Sequence, residues 1–250
     1  MNDMPISEDK VSKAPRKSRL VGIGLLTLLF FATFIALGIW QVERLSWKLD
    51  LIARVDARVH APAVSVPDEV SWSAVNAASD EYRHVTASGR FVHDKSALVY
   101  ASTERGPGFW VLTPLQTEKG AIVYVNRGWV PSDRKDAAGR AEGNPEGAVQ
   151  VTGLLRITEP GGTLLRSNDP ADGRWYSRDV EAMGTTAGLS RVAPFFIDAD
   201  DTPNPGGLPV GGLTIIRFPN SHLSYALTWF AMAALSLVGG AILVRAERRR

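Results

Sequence analysis

Two long stretches without any charged residue, 21–39 and 223–244, constrain this chain more than any other feature of its sequence. An uncharged run of about 18 residues or more is long enough to cross a bilayer as an α-helix. At ~1.5 Å of rise per residue the two stretches would extend ~28 and ~33 Å, which matches the hydrocarbon thickness of a membrane. The sequence therefore predicts a membrane protein with two transmembrane helices, at residues 20–40 and 223–244.

The charges beside the two spans predict how the chain is oriented. Residues 1–19 carry five Lys and Arg and residues 245–250 carry four Arg, whereas residues 40–244 carry 19 Lys and Arg against 22 Asp and Glu. Basic residues close to span ends mark the cytoplasmic side of a membrane. Both short tails are therefore predicted to be cytoplasmic, and residues 41–222 are predicted to form an extracytoplasmic domain.

The start of the chain has two interpretations. A cleaved signal peptide is one, but an uncharged run of 19 residues exceeds the usual apolar region of about 7–15 residues, which favours a retained anchor. Mitochondrial transit peptides are poor in acidic residues. Because Asp3, Glu8 and Asp9 stand in the basic tail, we expect a bacterial inner membrane with the large domain in the periplasm.

The segment between the spans changes from helical to β periodicity. Residues 41–60 continue the first span as a helical stalk with apolar residues at helical spacing. Short β-rich runs separated by Gly, Pro, Asn and Asp follow. We predict strands at 83–91, 97–102, 109–115, 121–125, 149–155, 194–198 and 214–218, and a short helix at 177–183. The expected fold is a membrane protein whose two terminal helices flank a β-rich α+β domain built on an antiparallel sheet, a sandwich or an open barrel.

Several classes of function are excluded or disfavoured by the composition. The chain has no cysteine, which excludes disulfides, Cys-ligated zinc, iron–sulfur clusters and thiol redox chemistry. Gly-x-Ser-x-Gly, His-Glu-x-x-His and the glycine-rich phosphate-binding motifs are absent, so we expect neither an enzyme nor a nucleic-acid partner. The acidic cluster of Asp198, Asp200 and Asp201 lacks the Gly and distal Glu of a calcium loop, which predicts a hydrated loop.

His222 is the main candidate for ligand binding, because it stands immediately before the second uncharged span. The residues that share its helix face, at about 100° per residue, are Tyr225, Ala226, Trp229 and Ala233. That face offers an imidazole, two aromatic rings and space beside two small residues, at the extracytoplasmic membrane boundary. Neutral imidazole is a common axial ligand of haem iron. The alternative is an interfacial anchor, since Tyr and Trp commonly lie at headgroup level.

Six sequence blocks occur in order along most of the chain. They are LGIWQVERLSWKLDLI (37–52), YRHVTASGRF (82–91), GPGFWVLTPL (106–115), VNRGWVP (125–131), NDPADGRWYSRDVEAM (168–183) and PNSHLSYALTWFAMA (219–233). Together with two terminal spans around a large loop, these blocks resemble the surfeit-locus family of cytochrome c oxidase assembly factors.

The resemblance implies a non-catalytic factor that helps to build a haem–copper oxidase and to insert haem a into its catalytic subunit. It implies His222 as the haem ligand and Trp229 as a second contributor to the site. The implied partners are the catalytic subunit and the lipid bilayer, with haem a synthase as a further candidate. His60, His84 and His93 are candidates for a second axial ligand.

Two alternatives accompany this interpretation. Arg127, in the Asn-Arg-Gly-Trp block, is a candidate partner for a haem propionate, and a structural arginine beside Trp129 is the other interpretation. The alternative function is a haem-independent scaffold that stabilises the nascent oxidase subunit. Such a scaffold would use the surface of the large loop and small residues of the second span, such as Ser236 and Gly240.

Overall fold

The computed structural model describes residues 16–249, so most of the predicted basic tail at residues 1–19 and the terminal Arg250 lie outside the described residues. The chain divides into two compact units. The first comprises Met1–Ile52 and Phe218–Arg250, and the second comprises Ala53–Arg217.

Four α-helices and seven β-strands are found in the described residues. The helices are α1 (Arg16–Val59), α2 (Ala77–Asp80), α3 (Val180–Thr186) and α4 (His222–Arg249). The strands are β1 (Val64–Ser65), β2 (His84–Phe91), β3 (Ala97–Thr103), β4 (Gly106–Thr117), β5 (Ile122–Pro131), β6 (Ala148–Ile157) and β7 (Val192–Ala199). Short 3-10 helices lie at Glu69–Ala74, His93–Lys95, Ser132–Arg134, Ala138–Gly143 and Pro205–Gly207.

The helical predictions are confirmed in their main features. α1 and α4 are both long and apolar enough to cross a membrane. The predicted stalk at residues 41–60 continues α1 without a break as far as Val59. The short helix predicted at 177–183 begins later, at Val180, because the Asp179 side chain accepts a hydrogen bond from the Ala182 N–H and thereby caps the helix.

Five strands close into a barrel. They pair in the cyclic order β2, β6, β7, β5 and β4, and β4 pairs back to β2. β1 and β3 add to the sheet outside this ring, on β2 and β4 respectively. The prediction of an antiparallel arrangement holds for most of the ring, but β5 and β7 are parallel, because the chain crosses from one to the other through β6 and α3.

Six of the seven predicted strands are present, and the seventh prediction is wrong. Residues 214–218 are irregular, and the short strand β1 is found instead. The five-stranded ring closes without residues 214–218. Thr214, Ile215 and Ile216 are residue types that favour strands, which explains the prediction. In the structure they do not pair with a neighbouring strand.

The barrel interior is filled by apolar side chains from all five ring strands. Its buried members are Val85, Ala87, Leu115, Val123, Val125, Val151, Leu155, Ala193, Phe195 and Ile197. A second cluster covers the other face of β4, β5 and β7 and includes Trp175, Val180 and Met183 from the segment that contains α3. β5 is consequently buried on both faces, which explains why residues 122–130 contain no exposed position.

Gly89 permits the contact that closes the ring. It lies opposite Thr117, where the end of β2 pairs with the end of β4. A Cβ atom at this position would collide with the carbonyl oxygen of Gln116. A side chain at residue 89 would therefore force the two strands apart.

We expect Gly89→Ala to lower the free energy of unfolding by about 1–3 kcal/mol, the usual cost of overpacking a well-packed site. Thermal unfolding of the detergent-solubilised chain, followed by near-ultraviolet circular dichroism, would measure this. Gly139→Ala is the matched control, because a Cβ there meets only ordinary van der Waals contacts. Equal melting temperatures for the two variants would contradict this account of ring closure.

Candidate functional site

α1 and α4 form an antiparallel pair within the first unit. Four contacts between them run from one end to the other: Arg19 with Glu247, Thr27 with Gly240, Phe34 with Trp229, and Gln41 with His222. As the residue number rises along α1 it falls along α4, which fixes the antiparallel direction. These contacts favour retention of the first span, since its removal would uncover one face of α4.

The contacts follow a seven-residue repeat on both helices. The less exposed positions of α1 include residues 27, 31, 34, 38, 41, 45 and 48, and those of α4 include 222, 226, 229, 233, 236 and 240. Spacings that alternate between three and four keep one stripe of a helix facing its partner. Small residues let the backbones approach closely, as where Gly38 faces the ring of Phe230.

Two polar contacts between the helices bracket the apolar part of this pair. The ion pair of Arg19 with Glu247, at 3.3 Å, lies at one end, and the hydrogen bond of Gln41 with His222 lies at the other. The interval from residue 19 to residue 41 corresponds to ~33 Å of helix, close to the thickness of a bilayer core. The apolar part of the helix pair between these two polar contacts therefore has about the length of a bilayer core, with His222 at one end of it.

The imidazole of His222 is held by a single side-chain hydrogen bond. Its Nδ1–H donates to Oε1 of Gln41 over 2.8 Å, and Gln41 is only 8% exposed. The backbone N–H of His222 donates to Oδ1 of Asn220 over 3.3 Å. The ring is half-buried, and its Nε2 has no hydrogen-bond partner among residues 16–249.

This arrangement is suited to metal ligation through Nε2. A histidine that binds a metal usually donates its other ring N–H to an oxygen, which fixes the tautomer and the ring orientation. Gln41 supplies that oxygen here. The Nε2 lone pair is then available to a ligand.

The residues predicted to share one helix face with His222 differ in their burial. Trp229 lies against α1, where its ring stacks on Phe34 with centroids 5.8 Å apart. Tyr225 is 54% exposed and lies off the contact stripe. Ala226 and Ala233 are each 1% exposed, so the open space predicted beside them is absent. The physical reason is that this face of α4 is the one packed in the helix pair.

Arg127 lies in β5 of the second unit and is 2% exposed. Its guanidinium donates to Oδ1 of Asn144 over 2.8 Å, to Oδ1 of Asn204 over 2.9 Å, and to the carbonyl of Gly143. All three acceptors are neutral oxygens of the β domain. Its pairing with a haem propionate stays a prediction.

The other three histidines also belong to the second unit, and each bonds to a backbone carbonyl. His60 contacts the carbonyl of Asp56 at 2.9 Å, His84 that of Ala61 at 2.8 Å, and His93 that of Pro145 at 3.0 Å. Among residues 16–249, no group of three or more His, Cys, Asp or Glu is arranged to hold a metal ion.

The acidic cluster differs from the predicted hydrated loop at its first residue. Asp198 is 3% exposed and lies one residue before the end of β7, inside an ion-pair network. It accepts hydrogen bonds from Arg156 at 2.8 Å, from Arg178 at 3.2 Å and from the Asn126 amide at 2.8 Å. These partners come from β5, β6 and the segment before α3, so the sequence spacing of the cluster could not reveal them.

The comparison with known proteins matches a family model described as the SURF1 family over residues 28–234. This chain belongs to the SURF1 family. Surfeit locus protein 1 of Mus musculus is 34% identical over 223 residues, covering 83% of this chain and 71% of the mouse protein. The Rattus norvegicus protein of the same name is 35% identical over 225 residues, and the SURF1-like protein of Caenorhabditis briggsae is 31% identical over 254 residues.

The relatives cover most of this SURF1-family chain. The Rattus norvegicus match spans 83% of the chain and 71% of the relative, and the Caenorhabditis briggsae match spans 93% and 78%. The family match includes Gln41, His222 and Trp229, as well as the whole of the β domain. The resemblance noted in the sequence blocks is therefore confirmed at the level of the family.

Sequence reasoning missed Gln41 and Phe34, the two α1 residues that hold the candidate site. Gln41 is the first polar residue after the first uncharged run, and it lies seven residues beyond Phe34. That spacing was the available signal, because residues seven apart share one stripe of a helix. Their pairing with His222 and Trp229 still required the register between α1 and α4.

We expect Gln41→Leu to shift the His222 tautomer away from Nδ1–H, because the acceptor of that hydrogen bond is removed. NMR of the ¹⁵N-labelled imidazole in the detergent-solubilised chain would report the protonated nitrogen. Gln41→Glu, which keeps an acceptor oxygen, should retain the Nδ1–H form. An unchanged tautomer in Gln41→Leu would show that Gln41 does not orient the ring.

Proposed function

We propose that this chain is a non-catalytic assembly factor for haem–copper cytochrome c oxidase, which holds haem a through His222 and helps its insertion into the catalytic subunit. The observation that carries the proposal is the His222 imidazole, half-buried at the head of α4 with Nδ1 bonded to Gln41 and Nε2 free. Membership of the SURF1 family supports it.

The donor set fits a haem ligand. His222 would supply one axial nitrogen, the ligand type found in many haem proteins. Tyr225 and Leu223, 54% and 57% exposed, would supply accessible apolar surface close to that nitrogen. When bound, haem a would be cargo for the oxidase.

A single protein ligand suits a carrier. One axial bond leaves fewer contacts to break on release, and differences in affinity between related complexes act mainly through the dissociation rate. The hydrogen bond from Nδ1–H to Gln41 orients the ring without adding a second contact to the cargo. We expect haem a synthase to be the source of the cargo and the oxidase catalytic subunit to receive it.

The proposed orientation follows from the charges. Both basic tails would face the cytoplasm, and the β domain would lie on the opposite side of the membrane, in the periplasm of a bacterial cell. His222 would then be at the outer boundary of the inner membrane. This position would let a haem keep its propionates near water and its apolar edge in lipid.

His222→Ala should abolish haem binding while leaving the fold intact, because the side chain makes one hydrogen bond at a helix end. The wild-type chain purified from haem a-containing membranes should show a histidine-ligated haem spectrum. Thr228→Ala is the matched control, since Thr228 is exposed on the same helix and its hydroxyl donates to the Ser224 carbonyl of that helix. It should retain the wild-type amount of haem.

Two outcomes would contradict the carrier. In one, His222→Ala and Thr228→Ala lose haem equally, which would indicate that the loss does not come from removing a specific imidazole ligand. In the other, His222→Ala restores full oxidase assembly in a strain that lacks the wild-type chain. The second outcome would favour a scaffold that does not handle haem.

One observation favours the scaffold as a second candidate. Leu164 and Leu165 are 100% and 90% exposed, at the tip of a tight turn closed by the bond from Thr163 N–H to the Arg166 carbonyl at 2.8 Å. Adjacent fully exposed leucines are costly in water, and exposed apolar patches commonly mark protein contacts. By contrast Gly240, the small residue expected to face the oxidase, packs on Thr27 of the chain's own α1.

A docking role for this turn predicts that replacing both leucines, Leu164→Ser with Leu165→Ser, lowers oxidase assembly and leaves haem binding unchanged. Their exposure means that the melting temperature of the chain should not fall. The readouts are the haem a absorbance of assembled oxidase in membranes and the haem content of the purified chain. Wild-type oxidase levels in the double variant would remove the support for this contact.

A further inference from the structure

The guanidinium of Arg127 is a buried cation without a carboxylate partner among the described residues. Its three hydrogen bonds go to the oxygens of Gly143, Asn144 and Asn204, and its Cζ lies 5.0 Å from the centroid of the Phe91 ring. A guanidinium has five N–H donors. Two of those five have no hydrogen-bond partner within residues 16–249.

Burying such a charge without a counter-ion is costly, because the group loses its hydration and gains no opposite charge. Burial, together with the nearby positive charge of Arg140, lowers the pKa of Arg127 to about 10. Arg127 remains protonated at neutral pH. The surroundings therefore carry a positive potential that neutral oxygens only partly offset.

A cavity of about 230 Å³ lies beside this cation. Its wall is mixed: Phe91, Val125, Val149 and Val151 contribute apolar surface, and Gln150, Thr152, Thr202 and Asn204 contribute polar groups. Asp200 is also in the wall, where its Oδ1 accepts the Thr202 N–H over 3.0 Å. The cavity is smaller than the range of roughly 300–1,000 Å³ typical of drug-sized ligands, so its occupant would be small.

These features select one ligand chemistry. The planar guanidinium matches the geometry of a carboxylate, which can accept two N–H bonds from one arginine. The apolar part of the wall suits a short hydrocarbon body. The Asp200 carboxylate would repel a doubly charged phosphate more strongly than a singly charged carboxylate.

We propose that the cavity beside Arg127 is a binding site for a small monocarboxylate, with the carboxylate on the Arg127 guanidinium and the hydrocarbon portion against Phe91 and the valines of the wall. This site lies wholly in the β domain. It is independent of the haem proposal at His222, and neither one requires the other.

Butyrate is a suitable probe, with butyramide as its uncharged analogue and inorganic phosphate as the dianion. Saturation-transfer NMR on the full chain in a non-ionic detergent should show butyrate binding to the wild type and no binding of butyramide. Phosphate should compete poorly. Arg127→Gln should weaken butyrate binding at least about tenfold, the scale of losing a charge-assisted hydrogen bond.

Asp200→Asn provides a second variant that does not remove the buried arginine. Asparagine keeps an oxygen for the Thr202 N–H but removes the negative charge, so butyrate should bind several-fold more tightly. Arg105→Gln is the matched control, because Arg105 is an exposed arginine outside the cavity wall. It should leave butyrate binding unchanged.

Three results would overturn the proposal. Equal binding of butyramide and butyrate would indicate an apolar cavity with no role for the charge. Stronger competition by phosphate than by butyrate would indicate a dianion site. If Arg127→Gln fails to fold by circular dichroism, Asp200→Asn decides, and unchanged or weaker butyrate binding in that variant rejects the site.

Discussion

The hydrogen bond between His222 and Gln41 gives the helix pair a polar end point, and the candidate site depends on it. Hydrogen bonds at the edge of an apolar environment are stronger than in water, and an unmade one is correspondingly costly. Gln41 is buried in the contact stripe, so its amide needs a partner from α4. The same bond engages Nδ1 of His222 and leaves Nε2 without a hydrogen-bond partner among residues 16–249.

The contact stripe explains why one face of α4 contains both small and aromatic residues. Ala226, Ala233 and Gly240 allow close approach of the backbones, and the ring of Trp229 stacks on that of Phe34 in α1. The remaining surface of both helices is rich in exposed leucines, as expected for side chains in contact with lipid tails. A single pattern therefore packs the two helices together and places His222 at the end of their contact stripe.

The β domain shows two different ways to bury an arginine. Arg156 and Arg178 are paired with carboxylates: both contact Asp198, and further bonds go to Glu81 and Glu159. Arg127 has only neutral acceptors among the described residues. A buried charge without a counter-ion lowers the stability of the fold. An external anion in the cavity beside Arg127 would supply the negative charge that Asp198 supplies to Arg156 and Arg178.

The amino-acid sequence alone determined the features that depend on local composition. A long run without charged residues indicates a membrane span, and a short β-rich run bounded by turn residues indicates a strand. For this reason both spans and six of the seven strands were predicted. The position of His222 at the head of α4 follows from the sequence in the same way. The sequence blocks of the SURF1 family can also be recognised from the sequence alone.

Only the tertiary structure decided which residues meet across long separations. The closure of β4 on β2, the parallel pairing of β5 with β7 and the irregular course of residues 214–218 depend on the ring as a whole. The pairing of Gln41 with His222 spans most of the chain, and the burial of Asp198 draws on partners from several elements. Local propensity carries no information about such contacts, because their free energy arises only when distant segments share one packed environment.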